Sequence, residues 1–155
     1  MQHRLTENVK LLQKVSLFYE GTVLLLKRSS AEHSRPGCWD LPGGNSEWPA
    51  TGQQGDMGTG LHIRDVIREV QEETSIEIKN SELKINNVSY LETHFDEKKQ
   101  IYSIIFGWHV SLNEKPEVKL SHEHTEYAWV ALNEIDNYDF GANGGWIKEV
   151  ITSKQ

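Results

Sequence analysis

Apolar residues recur along this chain with two different periods, and the difference separates strands from helices. Long apolar stretches at 9–19 and 22–28, joined by Glu20-Gly21, predict two strands that form a hairpin. The second stretch is apolar enough to be buried on both faces. Further extended segments are predicted at 38–41, 77–79, 83–95, 100–112 and 127–131.

Two segments instead carry the pattern of an amphipathic helix. Between about 61 and 74, four aliphatic residues stand at positions i, i+3, i+4 and i+7, and they are Ile63, Val66, Ile67 and Val70. The second helix is predicted at 145–153, with Trp146, Ile147, Val150 and Ile151 facing inward. Many strands with two helices indicate an α+β protein, with no internal repeat.

The first helix also carries a carboxylate cluster. Glu69, Glu72 and Glu73 stand at i, i+3 and i+4, so all three lie on one face, away from the apolar stripe. Like charges at this spacing repel, and a divalent cation such as Mg²⁺ would turn the repulsion into binding. The alternative is a solvated acidic face on which Arg68 is the partner.

The residues before the helix favour metal binding over a solvated acidic face. Trp39-Asp40-Leu41-Pro42-Gly43-Gly44 precedes it, and the chain here resembles the Nudix (MutT-like) hydrolase family, whose box reads G-x5-E-x7-R-E-U-x-E-E-x-G-U with U a bulky aliphatic residue. Matching positions are filled by Gly44, Arg68, Glu69, Val70, Glu72, Glu73 and Ile76. With the strand-like segment 126–130, the resemblance covers roughly residues 10–152.

The chain departs from this box in three places. Ten extra residues separate Gly44 from Arg68, within an insertion at about 46–59 that is either a substrate lid or a mobile excursion. Gly60 stands where the box has its first glutamate, and Ser75 where it has its last glycine. The missing glutamate leaves the anchoring of Arg68 open, and the replacements within reach in the sequence are Glu47, Asp56 and Asp65.

The resemblance implies an α/β/α sandwich, a mixed β-sheet between helices. It also implies metal-dependent hydrolysis of a diphosphate linkage in a nucleoside diphosphate derivative. Glu69, Glu72 and Glu73 would bind Mg²⁺ or Mn²⁺, and Glu69, Glu72 and Arg68 would be catalytic, Arg68 by orienting the glutamates. A late loop often supplies one more glutamate as metal ligand or base, which here is Glu123, with Glu126 as runner-up.

Substrate contacts are expected from residues around the box. Gly43 and Gly44 lack a Cβ, so their backbone permits close approach of a ligand and their N–H groups can face phosphate oxygens. Arg28 borders the expected site, and Trp39 can stack on a base, although core packing is the commoner role of tryptophan. The spacing in His122-Glu123-His124 does not resemble a zinc site.

Composition restricts the partners and the compartment. The 155 residues fit a single domain, 1–155, and no apolar run approaches the about 18 residues that cross a bilayer, so no membrane partner is expected. The net charge of -7 argues against a protein that binds nucleic acid through phosphates, but not against a small nucleotide held through metal ions. The single cysteine, Cys38, and the absence of a signal-peptide pattern favour the cytoplasm. A homodimer is left open.

Because so short a chain has little beyond the catalytic fold that the resemblance implies, the expected substrate is a nucleoside triphosphate, including an oxidised one, with ADP-ribose or another nucleotide sugar next. Two other functions are weighed. A non-catalytic nucleotide-binding module would explain Gly60 and Ser75, but such a module has little need of three clustered glutamates. A Nudix-fold isomerase of prenyl diphosphates ranks last, because Cys38 lies in a strand-like context unsuited to that chemistry.

Overall fold

The computed structural model describes residues 8–46 and 62–153. Gly60 and nearly all of the predicted insertion, with Glu47 and Asp56, lie outside the described residues. The strands are β1 (Val9–Tyr19), β2 (Thr22–Arg28), β3 (Trp39–Asp40), β4 (Val88–Asp96), β5 (Ile101–Ser111) and β6 (His124–Ala131). The α-helices are α1 (Ile63–Thr74) and α2 (Gly145–Thr152), and short 3-10 turns occupy Asn80–Glu82, Ile85–Asn87 and Leu132–Asn137.

The six strands form one mixed sheet. Five of them follow the order β3-β2-β1-β5-β4, and β6 pairs with β2. β1 and β5 are parallel over ten residue pairs, from Val9↔Tyr102 to Phe18↔Ser111, and the other pairs are antiparallel. The predicted β1–β2 hairpin is present only next to its turn, at Phe18↔Val23 and Tyr19↔Thr22, because β1 then diverges to follow β5.

This divergence splits the sheet. β6 covers one edge of β2 from Thr22 to Arg28, so β1 and β3 share its other edge. The chain after β3 enters the gap and runs beside β1. Val15 N–H donates to the Pro42 carbonyl at 2.9 Å and Gln13 N–H donates to the Gly44 carbonyl at 2.9 Å. The glycine turn, Pro42-Gly43-Gly44, is therefore held against β1 by backbone hydrogen bonds.

Each face of the sheet packs on one helix. Val66 and Val70 of α1 pack with Val15, Leu17, Leu24, Leu26, Trp108 and Val110 on one face. Ile147, Val150 and Ile151 of α2 pack with Val23, Leu25, Leu41 and Val130 on the other. β2 sends alternate residues into both cores, which explains its unbroken apolar sequence. The expected sandwich, a mixed sheet between helices, is confirmed.

Two local features differ from simple sequence expectations. The predicted strand at 77–79 is absent and the one predicted at 83–95 begins only at Val88. Residues 77–79 and 83–87 are instead irregular chain and a 3-10 turn, and Ile78 and Leu83 pack into the α1-side core from there. Ser75, which replaces the last glycine of the box, takes the left-handed conformation at φ 61° and donates its N–H to the Gln71 carbonyl at 2.8 Å. The helix thus ends with a left-handed cap despite the missing glycine.

No helix in the described part of the chain is long and apolar enough to cross a membrane.

Candidate active site

The three glutamates of α1 occupy three different environments. Arg68 joins two of them, with Nη2 donating to Glu69 Oε1 at 2.5 Å and Nη1 donating to Glu72 Oε2 at 2.8 Å. The Glu72 side chain is 59% exposed, whereas that of Glu69 is only 21% exposed. Arg68 is therefore bonded to both carboxylates at once.

Glu73 points the other way, into the protein. It is 5% exposed, and its Oε2 accepts the N–H of Gly43 at 2.7 Å. Burial raises the pKa of Glu73 to about 7, although Lys14 and the Gly43 N–H favour its charged form. The expectation that the Gly43 N–H faces a ligand is corrected here, because that N–H is bonded to Glu73.

The two glycines perform different tasks. At Gly43, with φ 120°, a Cβ would lie 2.3 Å from the Gln13 carbonyl oxygen, so this residue allows the turn to contact β1. At Gly44 a Cβ would lie 2.8 Å from Glu69 Oε2. Gly44 therefore leaves room for a glutamate carboxylate beside the turn.

A buried cation beneath the turn was not predicted from the sequence. Lys14 is 3% exposed, and its Nζ donates to Asp40 Oδ2 at 3.1 Å, to the Leu41 carbonyl at 3.0 Å and to the Gly43 carbonyl at 2.7 Å. Three oxygen partners satisfy the ammonium group, which makes its burial tolerable. Lys14 thus ties β1 to β3 and to the glycine turn.

Two arginines converge on the same carboxylate. Arg35 donates to Asp40 Oδ2 at 2.6 Å and Arg28 donates to it at 3.2 Å, while Arg28 also binds Glu32 at 3.2 Å. Complete burial would raise the pKa of Asp40, but Lys14 and Arg35 outweigh it and hold the pKa below its ordinary value. Arg28, predicted to contact substrate, is thus already bonded to carboxylates.

These elements surround one cavity of about 1020 Å³. Carboxylates of Glu69, Glu73 and Glu123 lie in its wall together with Gly43 and Gly44. Basic side chains form another part of the wall, and they are Lys10, Lys14, Arg28 and Arg35. Six sequence-predicted site residues therefore share a cavity: Arg28, Gly43, Gly44, Glu69, Glu73 and Glu123.

The other three predicted residues are not part of this lining within the described residues. Arg68 and Glu72 stand beside it, linked to Glu69 by the contacts above. Trp39 instead packs edge-on against Tyr138, with ring centroids 5.0 Å apart, and contributes to the α2-side core. Its surroundings correspond to the core-packing alternative rather than to base stacking.

The late loop, residues 112–123 between β5 and β6, reaches the cavity through Glu123. This residue is exposed, and its carbonyl accepts the Ser29 N–H at 2.7 Å, which joins the loop to the end of β2. The next residue, His124, is buried, and its Nδ1 has no hydrogen-bond partner among the described residues. Burial, and then the nearby Lys14, lower the pKa of His124 to about 4.

The oxygen atoms of the site could bind a divalent metal ion together with a phosphorylated ligand. Within residues 8–46 and 62–153, no three His, Cys, Asp or Glu side chains converge as a ready-made metal cage. Mg²⁺ does not require one, since it is usually bound by one or two carboxylates together with water and substrate phosphates. Glu69 and Glu72 share one guanidinium, so a cation that replaced it would be near two hard oxygen ligands. The donor set fits Mg²⁺ or Mn²⁺ in the presence of a phosphorylated ligand.

The family model described as NUDIX domain matches residues 15–150, which include the glycine turn, α1 and the late loop. The chain belongs to the Nudix family. It is accordingly a Nudix-type pyrophosphohydrolase, a class of enzymes that generally use divalent metals and act on small nucleotide substrates.

Solved structures share the Nudix fold over nearly the whole chain. The MutT protein from Methanosarcina mazei Go1 is 26% identical with a TM-score of 0.65, and the match covers 96% of this chain and 94% of that chain. An Ap4A hydrolase from C. elegans, solved as a binary complex, is 24% identical with a TM-score of 0.59 over 94% and 96% of the two chains.

A third similar structure contains a metal ion. It is a bifunctional NMN adenylyltransferase/ADP ribose pyrophosphatase from Francisella tularensis, complexed with AMP and a Mn ion. It is 18% identical with a TM-score of 0.58, and the match covers 87% of this chain but 37% of that longer chain. No curated protein matches the sequence.

Proposed function

We propose that this single-domain chain hydrolyses a diphosphate linkage in a nucleoside triphosphate, including an oxidised one, with Mg²⁺ or Mn²⁺ as cofactor. The observation that supports it best is a cavity whose wall has both a carboxylate group, Glu69, Glu73 and Glu123, and a basic group next to it. ADP-ribose and other nucleotide sugars are the next candidates, because structures with this fold include an ADP ribose pyrophosphatase and an Ap4A hydrolase.

The size and charge of the cavity suit a nucleotide. Its volume of about 1020 Å³ lies at the upper end of the range for small-molecule sites, enough for a base, a sugar and several phosphates. Lys10 and Lys14 lie on the same face of β1 with Leu12 between them, and the exposed Lys10 can attract phosphates. Nucleic acid is not proposed as a partner, since the net charge is -7. The single cysteine, Cys38, supports the cytoplasm as the compartment.

Each residue has a part in the proposed reaction. Glu69 and Glu72, with Glu73 behind them, would hold the cation, which supplies charge neutralisation and a more acidic water at the diphosphate. Arg68 keeps the Glu69 and Glu72 carboxylates in place. A carboxylate within reach, Glu72 or Glu123, takes the proton from the attacking water. The Gly44 position leaves Glu69 room at the cavity wall.

The test is release of phosphate or pyrophosphate from a panel of nucleoside triphosphates, dinucleotides and nucleotide sugars. The reactions are run with Mg²⁺, with Mn²⁺ and with EDTA. Glu72→Gln should lower kcat by about 100-fold or more, since a positioned acid or base contributes 10²–10⁴-fold. The matched control is Glu134→Gln, which alters an exposed carboxylate in the Leu132–Asn137 turn and should leave the rate unchanged.

Two outcomes contradict the proposal in different ways. Turnover that persists in EDTA or in Glu72→Gln would refute the assigned metal and catalytic roles. No turnover on any substrate, with metal-dependent nucleotide binding retained, would instead establish the non-catalytic binding module. Hydrolysis confined to ADP-ribose or another nucleotide sugar would replace the triphosphate as the substrate.

A further inference from the structure

β4 forms an open edge of the sheet. Within the described ranges 8–46 and 62–153, it pairs with β5 and with no other strand. Its outer edge therefore presents a row of N–H and C=O groups that another strand could bind. Proteins that remain monomeric commonly protect such an edge with lysine or proline, and Val88–Asp96 contains neither.

One face of this edge strand is apolar. Leu91 is 61% exposed and Phe95 is 40% exposed. Their partners across β5 are Phe106 and Tyr102, which are themselves only partly buried. An exposed apolar strip that continues to the edge of a sheet is typical of an association surface.

The sequence of β4 is complementary to itself. Two copies related by a twofold axis perpendicular to the sheet would pair antiparallel, and each residue would stay on its own face of the joined sheet. With the axis at Thr93, Leu91 faces Phe95 of the partner subunit and Glu92 faces His94 of the partner subunit. Both are favourable cross-strand pairs, one apolar and one between an acid and a basic ring.

Neighbouring registers lack this complementarity. An axis at Glu92 places that carboxylate against its own copy, and an axis at His94 places Glu92 against Asp96. Like charges directly opposite destabilise a strand pair. An axis at Leu91 leaves Phe95 without a partner in β4. An axis at Phe95 matches His94 with Asp96 but pairs only residues 94–96 of β4, whereas the axis at Thr93 pairs residues 90–96. Charge and apolar matching, together with the length of the paired segment, therefore select the register centred on Thr93.

From this self-complementarity we infer that two copies of the chain pair through β4, antiparallel and with the register centred on Thr93, to form one continuous sheet across the two subunits. Glu92 and His94 line the cavity of the active site. The partner's His94 would stand beside Glu92 at the cavity rim, so each copy contributes to the site of the other. The inference rests on the edge strand and is independent of which substrate is cleaved.

Disulfide trapping tests the register directly. In a Cys38→Ser background, which removes the single native cysteine, Thr93→Cys should form a covalent dimer under mild oxidation because it faces its own copy. Leu91→Cys is the matched control on the same face. Its two copies would be separated by about 13 Å along the strands, too far for a disulfide, so it should not be trapped.

Sedimentation velocity of the full chain tests the pairing energy. His94→Glu should raise the dimer dissociation constant about tenfold, since it places like charges opposite each other twice per dimer. The double variant Glu92→Lys/His94→Glu restores opposite charges and should restore dimerisation. Ile85→Thr, at an apolar residue that is 66% exposed outside β4, should leave the dissociation constant unchanged.

Three results would overturn the inference. The first is a native chain that stays monomeric up to the hundred-micromolar range. The second is covalent trapping of Leu91→Cys but not of Thr93→Cys. The third is a double charge-swap variant that dimerises as weakly as His94→Glu. Trapping at Thr93 together with rescue by the double variant would establish it.

Discussion

Replacing each glycine of the turn by alanine should have a different effect: Gly44→Ala should lower the rate of catalysis, whereas Gly43→Ala should lower stability. At Gly44 the new Cβ would lie 2.8 Å from Glu69 Oε2 and 3.1 Å from its carboxyl carbon. At Gly43 it would lie 2.3 Å from the Gln13 carbonyl oxygen and 3.2 Å from the Lys14 Cα. The first obstacle is the end of a flexible side chain, and the second is backbone in the middle of β1.

For Gly44→Ala the expected effect is on the reaction. The Glu69 carboxylate must retreat by about half an ångström to reach an ordinary contact distance. Misplacement of a reacting group by about 1 Å can cost 100-fold, so kcat should fall by roughly 10- to 100-fold. The φ of Gly44 is not in the left-handed region, and only a side chain has to move. The free energy of unfolding should therefore change by less than about 1 kcal/mol.

For Gly43→Ala the expected effect is on the fold. A non-glycine residue at φ 120° carries about 1–3 kcal/mol of backbone strain, and the contact with the Gln13 carbonyl adds to it. A total near 3 kcal/mol would lower Tm by roughly 6–12 °C in a chain of this size. Displacing this turn also disturbs the bond from Gly43 N–H to Glu73.

The assay measures kcat on the best substrate of the panel and Tm for both variants and the native chain. The reasoning predicts a slow but stable Gly44→Ala and an unstable Gly43→Ala. Full activity in Gly44→Ala would refute the placement of Glu69 against the turn. A loss of stability in Gly44→Ala equal to that in Gly43→Ala would refute the distinction between side-chain and backbone obstacles.

Three further predictions concern buried polar groups. Lys14→Met should lower the free energy of unfolding in urea by about 3 kcal/mol or more, because it leaves a buried carboxylate short of a cation. The surface control Lys27→Met should cost at most about 1 kcal/mol. Gln13→Leu should cost about 2 kcal/mol, since the buried indole N–H of Trp108, which donates to Gln13 Oε1 at 2.7 Å, would lose its acceptor. The pKa of His124 falls from 6.5 to about 4 on folding. Between pH 6.5 and pH 4 the unfolded chain therefore binds a proton at His124 that the folded chain does not, and the free energy of unfolding should fall by about 3 kcal/mol across this range. Urea unfolding of the native chain and of His124→Asn across this pH range measures that difference.

Each of these has a result that would contradict it. Equal losses in the two lysine variants would show that burial of Lys14 carries no special cost. A Gln13→Leu chain as stable as the native one would show that the Trp108 N–H has found another acceptor. A difference between the native chain and His124→Asn that stays constant from pH 6.5 to pH 4 would contradict the lowered pKa of His124.

Local patterns in the sequence predicted the elements well. The apolar stripe of α1 and the strand at 9–19 both depend on residues within a few positions of each other, and the structure has them at Ile63–Thr74 and Val9–Tyr19. Pairing was harder to predict, because the β1–β2 hairpin gives way to the parallel β1–β5 pair. That choice depends on residues almost a hundred positions apart, and no short-range pattern reports it.

The cation beneath the turn could not be predicted for a related reason. Lys14 stands in an alternating strand, where a lysine is normally a sign of the solvent-facing side. Its burial depends on the gap where β1 diverges from β2 and the chain after β3 runs beside β1, which appears only when the sheet is assembled. The one available signal is Asp40, a carboxylate inside an apolar approach to the box that needs a buried partner.

The different burial of the three glutamates argues against a merely solvated acidic helix face. Exposure falls from 59% for the Glu72 side chain to 21% for that of Glu69 and to 5% for Glu73. A solvated face would leave all three carboxylates in water, where they could be replaced at little cost. Here one carboxylate is buried with a pKa near 7, and the glycine beside the second lacks the Cβ that would displace it. A helix retained only for packing would be more stable with an apolar residue in place of Glu73, because burying a carboxylate without a cation bonded to it costs free energy. Glu73 instead accepts the Gly43 N–H and lines the cavity beside Glu69, so its carboxylate holds the glycine turn against the helix at the candidate site.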